Sequence, residues 1–186
     1  MSSRNAAIIA AAERVAVFTP LVRGDFSTQF LTKIDKHLAL QILDLTRTNM
    51  EALYNACPEP EWKWNSEEKL KSFIHSKSRF IVVRDSVDNL VGFVCFRFLV
   101  DDKRPVVYVY ELQVAQSYAK RGVGRFLMLE IDRLVKTAVP GISHTMLTCF
   151  VHNPGAIDFY KKLGFITDVT SPSGNRSYVI LSKRCG

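Results

Sequence analysis

The sequence predicts one α/β domain, a sheet with helices on both faces, and three observations carry that prediction. Short apolar runs of strand length alternate with amphipathic helical segments along the whole chain. The 186 residues leave room for one domain and not comfortably for two, and no internal repeat or linker divides them. Composition is globular: 47% hydrophobic and 23% charged residues, with 9 Gly and 7 Pro, exclude a disordered tail, a collagen or a low-complexity scaffold. No run approaches the roughly 18 apolar residues of a membrane span.

Each element has its own local reason. Residues 2–16 read as a helix behind a Ser2 or Ser3 cap, because Ala6-Ala-Ile-Ile-Ala-Ala-Ala12 is strong helix-forming composition. Closed by Glu13 and Arg14, the same run makes a poor targeting signal. Residues 19–32, with Pro20 and Gly24, read as irregular. A second helix follows, since Ile34, Leu38, Leu40, Ile42, Leu45, Met50 and Leu53 recur at mostly helical spacing as far as Tyr54. Cys57-Pro-Glu-Pro60 breaks it, and Ser66-Glu-Glu-Lys69 opens a short helix over 66–75. Strands are predicted at 79–84, 90–100 and 105–114, with turns at 85–89 and 101–105. Then come a helix over 122–137 ended by Pro140-Gly141, a strand over 145–151 and a helix over 154–163. Strands over 165–169 and 177–181, joined by the loop 171–176, finish the chain. The expected division is 1–33, an N-terminal helix and extended segment packing on the domain, and 34–186, the domain itself.

Charge is unevenly placed. Lys and Arg outnumber Asp and Glu by 25 to 18, yet residues 1–99 hold a net of +2 and residues 100–186 a net of +5. Within 51–68 the sign reverses, with Glu51, Glu59, Glu61, Glu67 and Glu68 against Lys63 alone. A basic half suits a polyanionic ligand and a local acidic patch suits a basic one. Cys57, Cys95, Cys149 and Cys185 are too scattered for a zinc site or a disulfide framework. His37, His75, His144 and His152 lack ligand spacing, so no metal is expected.

Chemistry concentrates in two stretches. In Val106 to Leu129 an apolar strand leads through Lys120-Arg121-Gly122-Val123-Gly124-Arg125 into an amphipathic helix. Two glycines let backbone approach a ligand, and the first helical turn offers N–H groups and a positive dipole end to an anion. Lys120, Arg121 and Arg125 add charge there, which makes a pyrophosphate cradle that is neither a Walker loop nor the three-glycine dinucleotide fingerprint. The second stretch is Asn153-Pro-Gly-Ala156-Ile-Asp-Phe-Tyr160-Lys-Lys-Leu-Gly164-Phe165. Asn153 stands where strand yields to helix, and Ala156 and Tyr160 share a helical face.

Strand, Arg/Gln-x-x-Gly-x-Gly/Ala, helix, strand, then Asn-x-x-Ala-x-x-x-Tyr-x-x-x-Gly-Phe resembles the signature of the GCN5-related N-acetyltransferases (GNAT). Within that family the likeness is greatest to the NatD-type enzymes that acetylate histone N-termini. Words such as Leu45-Thr-Arg-Thr-Asn-Met50, Glu61-Trp62-x-Trp64, Tyr108-x-Tyr110-Glu111-x-Gln113 and Leu147-Thr148-x-Phe150-x-His152-Asn153 carry it from about residue 40 onward. Ala119 stands where the family prefers Arg or Gln, and Leu99 where NatD-like proteins keep an acid. The resemblance implies a mixed, mostly antiparallel sheet flanked by helices, with an extra N-terminal helix. It implies acetyl-CoA as cosubstrate and transfer to the serine amine of histone tails beginning Ser-Gly-Arg-Gly (core histone types four and two-A). It also implies a nuclear and cytoplasmic monomer without an auxiliary subunit, with no membrane or direct nucleic-acid partner.

The amine must be neutral to attack. At pH 7.5 roughly a quarter of α-amines, of pKa about 8, are neutral, against about one lysine in a thousand. A modest base suffices, and Glu111 is the candidate. Regular alternation along the strand puts it on the face of Val107 and Val109, where a carboxylate costs several kcal/mol unless hydrated, paired or functional; pairing with Arg97 or Lys120 is the structural alternative. The resemblance implies that Tyr160 protonates the departing thiolate and that backbone N–H groups of Leu112, Gln113 and Val114 meet the thioester carbonyl. Tyr54, Trp62, Tyr108, Tyr110 and Tyr178 are expected to wall a peptide groove. Asp101 is expected to pair with a substrate arginine and Thr148 to bond the peptide backbone. Acetylation of small-molecule amines or lysine side chains, and a non-catalytic binding module, are the competing readings.

Overall fold

A computed structural model describes residues 2–22, 24–174 and 176–186. Helix α1 (Ser3–Glu13) is capped by Ser2, whose side chain accepts from Asn5 N. Strand β1 (Ser27–Leu31) follows, where the sequence predicted irregular chain. It is a five-residue edge strand that exists by pairing antiparallel with β2 (Arg79–Arg84), a partner about fifty residues away. Helix α2 (Lys36–Ala56), capped by Asp35, and α3 (Ser66–Phe73), capped by Asn65, flank a short 3-10 turn at Pro60–Trp62. Then come β3 (Leu90–Asp101), β4 (Arg104–Val114), α4 (Val123–Ala138), β5 (His144–Phe150) and α5 (Pro154–Lys162). The strand predicted over 165–169 is only β6 (Ile166–Thr167), and β7 (Tyr178–Arg184) runs three residues beyond its predicted end.

The seven strands form one sheet in the order β1-β2-β3-β4-β5-β7-β6, antiparallel throughout except for β4 against β5. A parallel pair needs a crossover, which α4 supplies. One face carries the larger core, where α1 and the apolar stripe of α4 meet β3 and β4 through Phe96, Phe98, Leu127, Ile131 and Leu134. On the other face Leu38 and Ile42 of α2 and Phe73 of α3 cover Phe80, Val82, Phe93 and Cys95. Glu130 and Arg133 of α4 bind the backbone of Leu21 and Thr19, fastening the N-terminal segment down. No helix of the described residues is long and apolar enough to cross a membrane.

Two irregularities of β4 shape everything that follows. Its register against β3 slips: Cys95 faces Glu111 while Phe96 faces Val109, so Tyr110 is an extra residue, a β-bulge. Its pairing with β5 runs only from Val106/His144 to Val109/Leu147, although both strands continue. Past that point they diverge and leave a wedge.

Gly92 holds β3 against the far end of β4. A Cβ there would stand 2.7 Å from the carbonyl oxygen of Gln113 and 3.3 Å from Cα of Val114, both backbone atoms of a paired strand. Gly92→Ala is therefore expected to destabilise by about 1–3 kcal/mol, as overpacking does. An unchanged urea midpoint would show that β4 yields freely here.

Candidate active site

The wedge between β4 and β5 opens into two joined cavities. A chamber of about 440 Å³ lies beneath α2 and α3, and a groove of about 640 Å³ runs beside the start of α4 and along α5. They share Leu112, Ala156 and Tyr160, so a ligand lying in the groove can present its end to the chamber there.

The groove is built by the turn into α4. Lys120 and Gly122 both have positive φ, 60° and 80°, and Gly122 is the helix N-cap in the left-handed conformation that glycine tolerates best. This folds Gly122, Val123, Gly124 and Arg125 against the groove at the positive end of a 16-residue helix, with Lys120 and Lys162 on its walls. The side chain of Val123 is buried in the core, so its contribution to a ligand is through backbone. Arg121 lies over the ring of Tyr118 at 5.4 Å. A slot lined by glycine backbone and cations fits a pyrophosphate-bearing ligand such as the CoA moiety. Asn153, at the mouth of the chamber, caps α5 by accepting from Ala156 N at 3.2 Å.

Glu111 lies in the chamber, and the face assigned to it by alternation is corrected. The Tyr110 bulge turns it away from Val107 and Val109, which belong to the α4 core, toward α2 and α3. There its carboxylate, 6% exposed, is ion-paired with Lys69 of α3, so neither Arg97 nor Lys120 is the partner. Tyr54 of α2 stands 3.5 Å from Oε1 and also takes a bond from Lys69. On the other side Gln113 Nε2 donates to Oε2 at 2.9 Å, and Asn49 of α2 donates to both Gln113 Oε1 and Val114 O at 3.1 Å. The amide of Gln113 is thus committed to Glu111, and its backbone pairs with Phe93 of β3. Arg97 lies over the ring of Tyr110 at 4.3 Å and bonds Ser72 and Ser78.

Burial, together with the charge of Glu111, pushes the Tyr54 phenol up to about 12. Tyr160, at the junction of the two cavities, is raised above the usual phenol range by burial, then by Cys149 and Glu111. It is a protonated hydroxyl at neutral pH, and burial makes it a weaker acid than a free phenol. Cys149 lines the same chamber, its thiol pushed up to about 11 by burial.

Aromatic rings wall the outer chamber. Tyr54 meets Phe150 edge-on at 4.9 Å and Trp64 at 5.7 Å, while Trp62 packs on Phe150 at 5.5 Å and on Tyr178 at 5.1 Å. Tyr178 therefore stands behind Trp62 and is not itself a lining residue. Tyr108 and Tyr110 pack at 5.5 Å, and the hydroxyls of Tyr108 and Thr148 are 2.6 Å apart. Glu59 clasps this wall, its carboxylate accepting from Ser177 Oγ and Cys57 Sγ. His152 is occupied with the carbonyl of Leu53 at 2.9 Å and stacks on Phe150. Asp101 lies in the β3–β4 hairpin and not among the residues lining the chamber; its guanidinium neighbour is the chain's own Arg104 at 3.7 Å, and its charge reaches Tyr108 of the chamber wall.

Lys69 and Asn49 were not singled out from sequence. Asn49 lies inside the quoted word Leu45–Met50, but no local signal couples Lys69 to a carboxylate 42 residues away.

Comparison with known proteins agrees with this geometry. The model of the Acetyltransferase (GNAT) family matches residues 39–165. Arabidopsis thaliana NAA60, solved with a bisubstrate analogue, superposes with a TM-score of 0.61 at 17% identity, covering 85% of this chain and 98% of that one. PaiA N-acetyltransferase of Thermoplasma acidophilum, solved with coenzyme A, has a TM-score of 0.61 at 17% identity over 85% and 99%. Tetrahymena GCN5 has a TM-score of 0.65 at 16% identity over 86% and 96%. At such identities the likeness to these structures is one of fold.

Proposed function

This chain belongs to the GNAT acetyltransferase family, and we propose that within it the protein acetylates peptide N-termini, taking the serine amine of histone tails that begin Ser-Gly-Arg-Gly. The observation that carries the reading is a carboxylate, Glu111, at the inner end of an aromatic-walled chamber that opens onto the helix-terminus groove. Bound acetyl-CoA supplies the thioester whose acetyl group moves. Leu112 and Val114, past the end of β5 pairing and on either side of the β3-paired Gln113, turn backbone toward it; Glu111 accepts the amine proton, directly or through a water; Tyr160 protonates the leaving sulfur.

Two features support a basic peptide as acceptor. Tyr54, Trp62, Tyr108 and Tyr110 offer a peptide an aromatic wall, and Thr148 and Tyr108 add hydroxyls for its backbone. Glu51 on α2 and Glu61 on the 3-10 turn, with Glu67 and Glu68 of α3 sharing the one cation Lys71, leave a net negative charge on the elements that carry Tyr54, Trp62 and Lys69 to the chamber, which favours a cationic tail there.

The test uses acetyl-CoA with two peptides Ser-Gly-Arg-Gly-Lys-Gly-Gly, one with a free α-amine and one blocked. Acetylation of the free peptide alone is the expected result. Acetylation of both makes this a lysine acetyltransferase. Acetylation of neither, with CoA still bound, turns the assignment toward small amines.

A further inference from the structure

In the chamber an ammonium already sits on the candidate base. Lys69 Nζ contacts Glu111 Oε1 and Tyr54 OH and lies 4.4 Å from the Tyr54 ring centroid. Its side chain is 20% exposed and that of Glu111 6%. We propose that Lys69 is the standing counter-ion of Glu111, so that the acceptor amine enters the chamber unprotonated instead of as an ammonium bound to the carboxylate. This rests on the α-amine reading above and adds to it a rule for which ionic form of the substrate is taken up.

Charge counting supports it. Glu111 is faced by Lys69 from α3, Tyr54 from α2, Cys95 from β3 and Tyr160 from α5, with Gln113 beside it on β4. Burial pushes Cys95 and Tyr54 up to about 12 and raises Tyr160, so all three are neutral near pH 7. Arg97 is turned to Tyr110, Ser72 and Ser78. Lys69 and Glu111 therefore cancel, and a second ammonium would find no net negative charge while meeting a like charge at close range. Burial alone would lower the Lys69 ammonium, but Glu111 and Tyr54 raise it on balance, so it keeps its proton.

A neutral amine balances the reaction without a proton from outside. The nitrogen forms its bond to the acetyl carbon, the C–S bond breaks, the amine proton passes to Oε2 of Glu111, the sulfur takes one from Tyr160, and transfer of the Glu111 proton to the buried Tyr160 phenolate restores both groups. Oε2 accepts from Gln113 and has a second lone pair for that proton.

The experiment counts protons. The tetrapeptide Ser-Gly-Arg-Gly is titrated calorimetrically into the CoA-loaded protein at pH 7.0 in phosphate and in Tris, whose ionisation enthalpies differ. Uptake of the neutral form releases about 0.9 proton per peptide, because about nine-tenths of an α-amine of pKa about 8 is protonated at that pH. Lys69→Arg is expected to keep that release. Lys69→Met, with Lys69→Gln as a second neutral replacement, is expected to lose most of it, as the peptide ammonium takes the vacated place. No release by the unaltered protein, or full release by both neutral variants, overturns the inference. Acetylation of the same peptide without proton release sinks this inference alone. Binding with the expected release but no acetylation from acetyl-CoA sinks the functional reading alone. No binding removes both.

Discussion

Glu111→Gln is expected to lower kcat for peptide acetylation by about 10²- to 10⁴-fold, the usual worth of a positioned general base. The amide keeps the size of the side chain and its place on the strand but cannot take up the amine proton at neutral pH. Coenzyme A affinity should hold, since Glu111 lines the chamber and not the groove beside α4. The substitution also leaves the Lys69 ammonium without its counter-ion, so stability has to be followed with activity. A well-folded, CoA-binding variant that retains kcat within about tenfold would remove Glu111 from the role.

The largest effect on stability is expected outside the site, at Asp168. Its carboxylate, 2% exposed, takes two bonds from Arg104 at 2.8 and 3.0 Å and further bonds from the backbone and hydroxyl of Thr170. Asp168→Ala leaves the Arg104 guanidinium largely enclosed with only the more distant Asp101 carboxylate, 3.7 Å away, beside it, and about 3 kcal/mol is expected to be lost, the low end of what removing one partner of a buried pair costs. Hydrogen bonds from Arg104 above all, then from Ser182 and Thr170, hold the Asp168 carboxyl well below the usual carboxylate range against the opposing effect of burial. With a depressed folded value, its contribution is complete above the unfolded carboxyl value of about 3.9 and fades as pH falls through the folded one. The deficit of the alanine variant should therefore be full at pH 7 and shrink below about pH 4. Urea unfolding at pH 7 and pH 3 measures both; an equal deficit at the two would show that the carboxylate charge is not what matters.

Most of the architecture was legible because its signals are local. Caps, apolar periodicity and the Pro140-Gly141 stop placed the helices to within a few residues, and the glycine turn before α4 announced an anion site that the groove matches. What escaped depends on distant chain. Strand β1 has no strong alternation of its own and is a strand only because β2 offers it an edge. Glu111 stands out in the sequence as a carboxylate in an apolar strand, but counting side chains along β4 assumes an unbroken pleat and points it into the α4 core. Lys69 is one of two lysines on α3, and nothing near it in sequence says that Glu111 will lie beneath it rather than beneath Lys71. Asp101 lies beside Arg104 of its own hairpin, a pairing that depends on how the turn folds and that the sequence alone does not show.

The Tyr110 bulge makes β4 a strand with two reading frames. Before it, odd-numbered side chains, Val107 and Val109, feed the α4 core; after it, the even-numbered Leu112 and Val114 do so, and the odd-numbered Glu111 and Gln113 face the chamber. Glu111 is thus aimed by arithmetic more than by its neighbours' identities: removing one residue at the bulge would turn an intact carboxylate into the oily layer. A protein of this design tolerates spelling changes in β4 better than changes in its length.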